Sequence, residues 1–195
     1  YIGQDSFQSG VLAARLLNFA LRAGEPALIL NLEKGVTNAL HLMEKERGFR
    51  YYFANHPHQN IEVFSSDFDD FDNRSKLKAY LSTFTKGPSQ VGGIFVTNSR
   101  AYKVIDCLEE EDLHKFVIVG FDLIPANIRH LSTNRINFLI NQNPIEQGYQ
   151  GIISLYKLLF LKEIPPGSQF LPLDIVVAEN MEYYLKQQDG AMKVI

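Results

Sequence analysis

The sequence has one cysteine, no excess of positive charge and no long apolar run. Cys107 is the single cysteine, so no disulfide can form within the chain. The formal net charge is -3 and the isoelectric point is about 6.0, which disfavours nucleic-acid binding by this segment alone because such binding needs a basic face. The most apolar stretch, residues 152–161, is shorter than the roughly 18 residues of a transmembrane helix. We therefore predict no membrane span.

The sequence also lacks the signatures of common enzymes and metal sites. It contains no GxSxG elbow, P-loop or HExxH segment, and Asp122 and Glu146 do not have the spacing of a catalytic pair. The acidic segment 67–72 lacks the glycine and the closing glutamate of a calcium loop. We expect no enzymatic activity, no bound metal and no cofactor.

The composition is that of a folded protein with a sizeable core. The chain has 195 residues, of which 46% are hydrophobic and 21% charged, enough for one large domain or two small lobes. It opens on YIGQDSFQSG, without an initiator methionine or a targeting segment. We expect it to be a fragment of a longer protein.

Short apolar runs alternate with helical patterns along most of the chain. Strands are predicted at residues 27–33, 61–66, 92–98, 115–122 and 136–142, and helices at 39–56, 73–86, 101–113 and 125–133. Strands that are apolar on both faces and are followed by helices predict an α/β fold with a covered parallel sheet. Helical stretches at 9–24 and 144–163 fall outside this alternation, and a last strand is predicted at 171–180.

Polar residues follow each predicted strand, where open α/β sheets bind their ligands. None of these strand ends carries a glycine-rich phosphate loop. The residues at these strand ends are Lys34, Gly35, Ser66, Asp67, Asn98, Ser99, Asp122 and Gln142.

Four segments occur in a fixed order: IGQDSFQSGVLAARLL, FVTN, VIVGFDLIPANIRHL and INQNPIEQGYQGI. Together they resemble the effector-binding domain of LacI-family transcriptional regulators, a type I periplasmic-binding-protein-like domain. The resemblance covers nearly the whole chain, and residues 117–150 carry its most specific part. It implies a parallel-sheet fold of two lobes joined by three crossovers.

The resemblance also implies how the chain divides between the lobes. Residues 25–142 and 165–195 would form a complete second lobe. Residues 1–24 and 143–164 would be the remnant of a first lobe that is only partly present, and a DNA-binding headpiece would lie upstream of this sequence. Helices 9–24 and 144–163 would then cover a missing sheet and leave apolar side chains bare. These side chains are Val11, Leu12, Leu16, Phe19, Ile152, Ile153, Leu155 and Leu159.

The function implied by the resemblance is sensing. A small sugar-like effector would bind in the cleft between the lobes and change DNA binding by the absent headpiece, in a cytoplasmic homodimer. The alternative is a periplasmic or receptor solute-binding protein of the same fold. A sugar-modifying α/β enzyme is a third hypothesis, which a turnover assay would test.

The resemblance places four ligand residues, each of which has a structural alternative. The Asp122 carboxylate would accept two sugar hydroxyls, or it caps the helix that follows. Gln142 would bind a hydroxyl through its amide, or it is a hinge residue. Asn98 would contact the ligand, or it caps a helix. Asp5 would form the floor of the cleft, or it caps helix 9–24.

Met43 marks a departure from the family pattern. Family members that bind sugars carry an arginine five residues before the glycine–aromatic pair, which is Gly48-Phe49 here, and Met43 occupies that position. A bidentate donor to sugar oxygens is then missing. We expect weak binding of unmodified pentoses and hexoses, with either a less hydroxylated ligand or another arginine in this role.

Overall fold

The computed structural model describes residues 1–35, 39–57, 60–86 and 90–192. The strands are β1 (Ile2–Gly3), β2 (Ala27–Asn31), β3 (Val63–Asp67), β4 (Gly93–Val96), β5 (Val117–Phe121), β6 (Phe138–Asn141), β7 (Gln169–Phe170) and β8 (Asp174–Val176). The helices are α1 (Ser6–Ala20), α2 (Leu40–Ala54), α3 (Arg74–Thr85), α4 (Ala101–Ile105), α5 (Pro125–Leu131), α6 (Pro144–Tyr156) and α7 (Met181–Met192). Among the described residues no helix is long and apolar enough to cross a membrane.

Six strands form one sheet in the order β3-β2-β4-β5-β6-β8. The first five are parallel, and β8 is antiparallel to β6. Every residue of β2 and β4 is buried, because helices cover both faces of the sheet. The predicted α/β fold with a mostly parallel sheet is confirmed.

Successive residues of each strand enter two separate cores. Leu28 and Leu30 of β2 point to the layer of α3, α4 and α5, whereas Ile29 points to the layer of α1 and α2. Phe95 and Phe121 continue the second core on β4 and β5.

The helices α1 and α2 touch backbone to backbone. A Cβ atom on Gly10 would overlap the carbonyl group of Lys45, and one on Gly48 would overlap the carbonyl group of Phe7. Glycine at both positions therefore allows the close approach, which fixes α2 over the ends of the central strands.

Helix α1 does not cover a missing first-lobe sheet. It buries Leu16 and Leu17 in the core shared with α2, β4, β5 and β6. Assignment of this helix to the first lobe, and of Leu16 to a bare surface, is therefore wrong. Of the four α1 residues predicted to be bare, Phe19 alone is highly exposed, at 72%. The rest of the predicted division into lobes stays a prediction.

Two predicted elements are shorter than expected. Helix 101–113 ends at Ile105 and continues only as a 3-10 turn at Glu110–Asp112, since a run of acidic residues opposes the negative end of a helix dipole. The last strand is limited to Asp174–Val176, because the Asn180 side chain binds the backbone of Ile175 and Val177 and closes a turn.

Strands β1 and β7 form a separate two-stranded parallel sheet. Helix α6 begins just after β6, and none of its residues is buried. Its exposed apolar side chains include the predicted Ile152 and Leu155, and the π-helical turn Lys157–Leu161 that follows exposes Leu159. The prediction of a bare apolar surface on this segment is confirmed for these three residues, whereas Ile153 is half-buried.

Candidate functional site

The candidate site lies at the carboxyl ends of the parallel strands. Strand β2 pairs with β3 on one side and β4 on the other, so the strand order reverses there. Ligands of open α/β sheets bind outside such a reversal. A cavity of about 560 Å³ opens at the same edge of the sheet, beside the ends of β5 and β6 and next to Ser99, which follows β4. Its lining residues are Ser99, Asp122, Leu123, Ile124, Asn141, Gln142, Pro144, Ile145 and Gln147.

Asp122 and Gln142, both predicted as ligand residues, meet in this cavity. The Gln142 Nε2 atom donates to both carboxylate oxygens of Asp122, at 2.8 and 3.0 Å. Burial raises the pKa of Asp122, and the hydrogen bond from Gln142 opposes that rise. The carboxylate and the amide thus already form the polar pair that a hydroxyl group could enter.

The backbone at Asp122 adopts the left-handed conformation, with φ of 68°. Asp122 does not cap α5. The N-cap residue of α5 is Ile124, and no side chain forms a capping hydrogen bond there. The alternative structural role of Asp122 as a helix cap is therefore wrong. The unusual turn directs the carboxylate into the cavity.

Asn127, which sequence reasoning missed, holds this turn. Its buried Nδ2 atom donates to the carbonyl oxygens of Ser99, Phe121 and Asp122 at 2.9, 2.9 and 3.1 Å. The Tyr102 N–H donates to Asn127 Oδ1 at 3.0 Å. One amide thereby joins the segment after β4 to the segment after β5, both of which border the cavity.

Asn98 uses both ends of its amide within the protein. Its Nδ2 atom donates to the Leu32 carbonyl at 2.9 Å, and its Oδ1 atom accepts from the Arg100 N–H at 3.1 Å. This is the side-chain turn typical of asparagine in loops. Its neighbour Ser99 lines the Asp122 cavity, whereas Asn98 is not among the lining residues. Ligand contact by Asn98 stays a prediction.

The structure places Asp5 and Met43 away from the Asp122 cavity. Asp5 caps α1 by accepting from the Gln8 N–H at 3.0 Å, as its structural alternative predicted, and it lines a second cavity of about 470 Å³. Met43 lies on α2 with 51% of its surface exposed. Neither residue lines the first cavity, and their ligand roles stay predictions.

Arg100 lies two residues after Asn98 in the sequence. Its Nη1 atom donates to the Leu32 carbonyl at 2.9 Å and to the Glu33 carboxylate at 2.7 Å, and its guanidinium lies 4.5 Å from the centre of the Phe71 ring. The same hydrogen bond from Arg100 lowers the pKa of Glu33. These contacts hold the Arg100 guanidinium against the loop after β2.

Lys45 is a second residue that sequence reasoning missed. It is 3% exposed, its Nζ atom donates to the Thr97 carbonyl at 2.9 Å, and it lies 3.5 Å above the Phe121 ring. Burial lowers the pKa of Lys45 to about 8, and the charge of Asp122 opposes that change. A signal existed in the sequence: Lys45 lies in the apolar stripe formed by Leu42, Phe49 and Tyr52 on α2.

Gln4 connects three segments of the chain that lie near the site. Its Nε2 atom donates to the carbonyls of Asn141 at 2.6 Å and Pro172 at 3.2 Å. Its own backbone carbonyl accepts from the Tyr1 hydroxyl at 2.6 Å. Within the described part of the chain, Gln4 Oε1 is buried and has no hydrogen-bond partner. The segments after β1, β6 and β7 are thereby tied together by one side chain.

The comparisons with known proteins agree with the fold. A family model described as a periplasmic binding protein domain matches residues 1–163. The xylose/arabinose-binding protein of Sulfolobus acidocaldarius is 25% identical over 95% of this chain and 46% of its own length. The ribose import binding protein of Escherichia coli is 26% identical over 82% of this chain and 52% of its own length. The chain thus spans about half the length of these curated relatives.

Two solved structures resemble the whole described fold. One, described as a LacI transcriptional regulator from Bacteroides fragilis, has a TM-score of 0.81 and 25% identity, and the match covers 94% of this chain and 63% of that one. The other, an ABC transporter periplasmic solute binding protein from Actinobacillus succinogenes with bound D-allose, has a TM-score of 0.78 and 24% identity over 94% of this chain and 63% of that one.

The names of these proteins bear on two predictions. They are names of binding or regulatory proteins, which fits the expectation that the chain is not an enzyme. The predicted cytoplasmic location is wrong, because the matching family model is described as a periplasmic binding protein domain and the curated relatives include an import binding protein. The error arose from resting the location on a resemblance to regulators, whose fold is shared with transport proteins.

Proposed function

This chain belongs to the periplasmic binding protein domain family, and from that premise we propose that it is part of a solute-binding protein that delivers a small sugar for import. The ligand would bind at the carboxyl ends of the parallel strands, against Asp122 and Gln142. The observation that carries this proposal is the pairing of these two side chains in one cavity.

The chemistry of the pair suits a hydroxylated ligand. An ionised carboxylate accepts charge-assisted hydrogen bonds from two neighbouring hydroxyl groups, and an amide both donates to and accepts from a hydroxyl. Gln142 now occupies both oxygens of Asp122, so a sugar would take over at least one of these hydrogen bonds. The cavity of about 560 Å³ falls within the range of small-molecule sites.

The regulator hypothesis is the second candidate. It is favoured by the likeness to the Bacteroides fragilis protein, at a TM-score of 0.81. In that case the same sugar site would act on DNA through a headpiece outside this sequence. Transport is preferred because both curated relatives above are sugar-binding or import binding proteins.

Pairing of two copies is a further part of the proposal. The exposed apolar side chains of α6, such as Ile152 and Leu155, would be covered if two copies met about a two-fold axis. Sedimentation of the 195-residue chain at tens of micromolar tests the pairing. The Ile152→Glu variant is expected to remain monomeric. A wild-type monomer at that concentration would rule out the pairing.

Calorimetry on the intact protein tests the sugar site. The panel contains ribose, xylose, arabinose, allose and deoxy sugars, and we expect at least one member to bind and to lose affinity in Gln142→Ala. The control is Gln8→Ala, on the exposed face of α1. The proposal fails if no sugar binds to the folded protein, or if the control loses as much affinity as Gln142→Ala.

A further inference from the structure

Lys45 is a buried cation directly behind the candidate sugar site. It belongs to the buried stripe of α2, where the other members are apolar or glycine. A charged group in such a place is costly unless it is fixed and compensated. The contacts of the Lys45 ammonium group compensate for this cost.

The position of Lys45 is fixed from two sides. Its backbone carbonyl lies against Gly10 of α1, where only a glycine fits. Its Nζ atom donates to the Thr97 carbonyl at 2.9 Å and lies 3.5 Å above the Phe121 ring. Thr97 follows β4, and Phe121 directly precedes Asp122, so the ammonium group lies between the ends of two central strands.

Two titratable groups among the described residues interact electrostatically with Lys45. One is Asp122 on the loop after β5, whose negative charge favours the protonated lysine. The other is His41, one turn earlier on α2, whose protonated form Lys45 disfavours. Among the described residues, Gln142 donates the side-chain hydrogen bonds to the Asp122 carboxylate, and Lys45 acts on this carboxylate through its positive charge.

We infer that Lys45 is a positioning residue of the sugar site: its ammonium group, held by the Thr97 carbonyl and the Phe121 ring, keeps the Asp122 carboxylate ionised and ready to accept sugar hydroxyls. This inference rests on the proposed function in one respect, that Asp122 contacts the ligand. Without a cation behind it, a partly buried carboxyl group takes up a proton more easily. The protonated group offers one acceptor fewer and no charge, which weakens its bonds to hydroxyl groups.

Carbon-detected NMR of the Asp122 carboxyl group tests the coupling without any ligand. In Lys45→Met the titration midpoint of Asp122 should move upward, and in Lys45→Arg it should stay near the wild-type value. Lys76→Met is the control, since this exposed lysine is paired with Asp70 and its loss should leave Asp122 unchanged. An unchanged midpoint in a folded Lys45→Met protein overturns the inference.

A reciprocal measurement covers the case in which Lys45→Met does not fold. Coupling between two sites acts equally in both directions. Asp122→Asn should therefore lower the titration midpoint of the Lys45 ammonium group, followed by its nitrogen chemical shift. The inference is overturned if that midpoint does not move.

Sugar affinity separates this inference from the proposed function. With whichever panel sugar binds, and at a pH below the Asp122 midpoint measured in the variant, Lys45→Met should weaken affinity at least about fivefold, the difference between a hydrogen bond to a charged and to a neutral group. The loss of affinity in Lys45→Met should grow as the pH falls, and Lys45→Arg should retain the wild-type affinity. A purely structural lysine would give a pH-independent loss. If no sugar binds while the titrations remain coupled, the proposed function fails and the electrostatic link stands.

Discussion

Replacing Asn127 by leucine should damage both the fold and the site. Leucine has the same number and branching of side-chain heavy atoms as asparagine, so the change removes the hydrogen bonds and keeps the branched shape, although the methyl groups are bulkier. The buried amide donates to three carbonyl groups and accepts from the Tyr102 N–H. These partners belong to the segments that follow β4 and β5, so the substitution frees both segments at once.

The size of the effect follows from the number of bonds. Four hydrogen bonds at about 0.5–1.5 kcal/mol each give roughly 2–6 kcal/mol, and shared donation by two N–H groups favours the lower half of that range. We expect the free energy of unfolding to fall by about 3 kcal/mol. Losses of that size are uncommon for single substitutions and indicate a broken buried network.

Urea unfolding followed by circular dichroism measures the loss, with Asn55→Leu as the matched control. Asn55 is exposed and its Nδ2 atom makes one hydrogen bond, to the Tyr51 carbonyl at 2.7 Å. That control should lose less than about 1 kcal/mol. If Asn127→Leu costs no more than Asn55→Leu, Asn127 does not hold the site in the way the contacts indicate.

Four further predictions concern single residues. Asp122→Asn keeps the side-chain shape and removes the charge, so calorimetry on the intact protein should show sugar affinity falling at least about fivefold, and an equal fall in the surface control Asp70→Asn would contradict this. Burial lowers the pKa of Lys45 to about 8, so the unfolded chain binds this proton more tightly and stability should rise with pH from about 8 toward 10.5; urea titrations at about pH 7.5 and 9.5 should show the rise in wild type and a smaller one in Lys45→Met. Met43→Arg restores a planar donor and should strengthen calorimetric binding of unmodified pentoses and hexoses, unless another residue already fills that role. Gln4→Ala removes one buried and one partly buried hydrogen bond and should lower the free energy of unfolding by about 1–2 kcal/mol, whereas the exposed Gln8→Ala should change it little.

The sheet was predictable because a buried parallel strand must be apolar on both faces. Leu28, Ile29 and Leu30 enter two different cores, and this requirement produces the continuous apolar run seen in the sequence. The carboxyl ends of the strands were overestimated by one to four residues, except that of β3, which ends one residue later than predicted. Polar residues such as Asn98 turn out of the ladder to bind loop backbone.

The meeting of Asp122 and Gln142 was also predictable. Both residues follow parallel strands, and the carboxyl ends of β5 and β6 are neighbours in the sheet. Their direct hydrogen bonds were not predicted, because strand order alone does not give side-chain orientation. The left-handed turn at Asp122 provides that orientation and has no sequence signature of its own.

Lys45 and Asn127 escaped prediction for a shared reason. Each side chain donates to backbone carbonyl groups. Because every residue has such a group, the sequence does not show which residue is the partner. The surface covered by α1 escaped for a related reason. The helical pattern of α1 shows which of its faces is apolar. It does not show which elements that face packs against, which depends on the close approach of Gly10 to α2.

The left-handed backbone at Asp122 restricts how this position can change during evolution. Glycine, asparagine and aspartate adopt that conformation most readily, whereas branched and bulky residues resist it. Selection would therefore remove most substitutions at this position because they disturb the turn. Asparagine and glycine would be tolerated. A lineage that no longer needs its ligand would drift to one of these two residues while keeping the loop intact. In relatives aligned at this position, asparagine or glycine would mark a fold that has survived the loss of its original specificity.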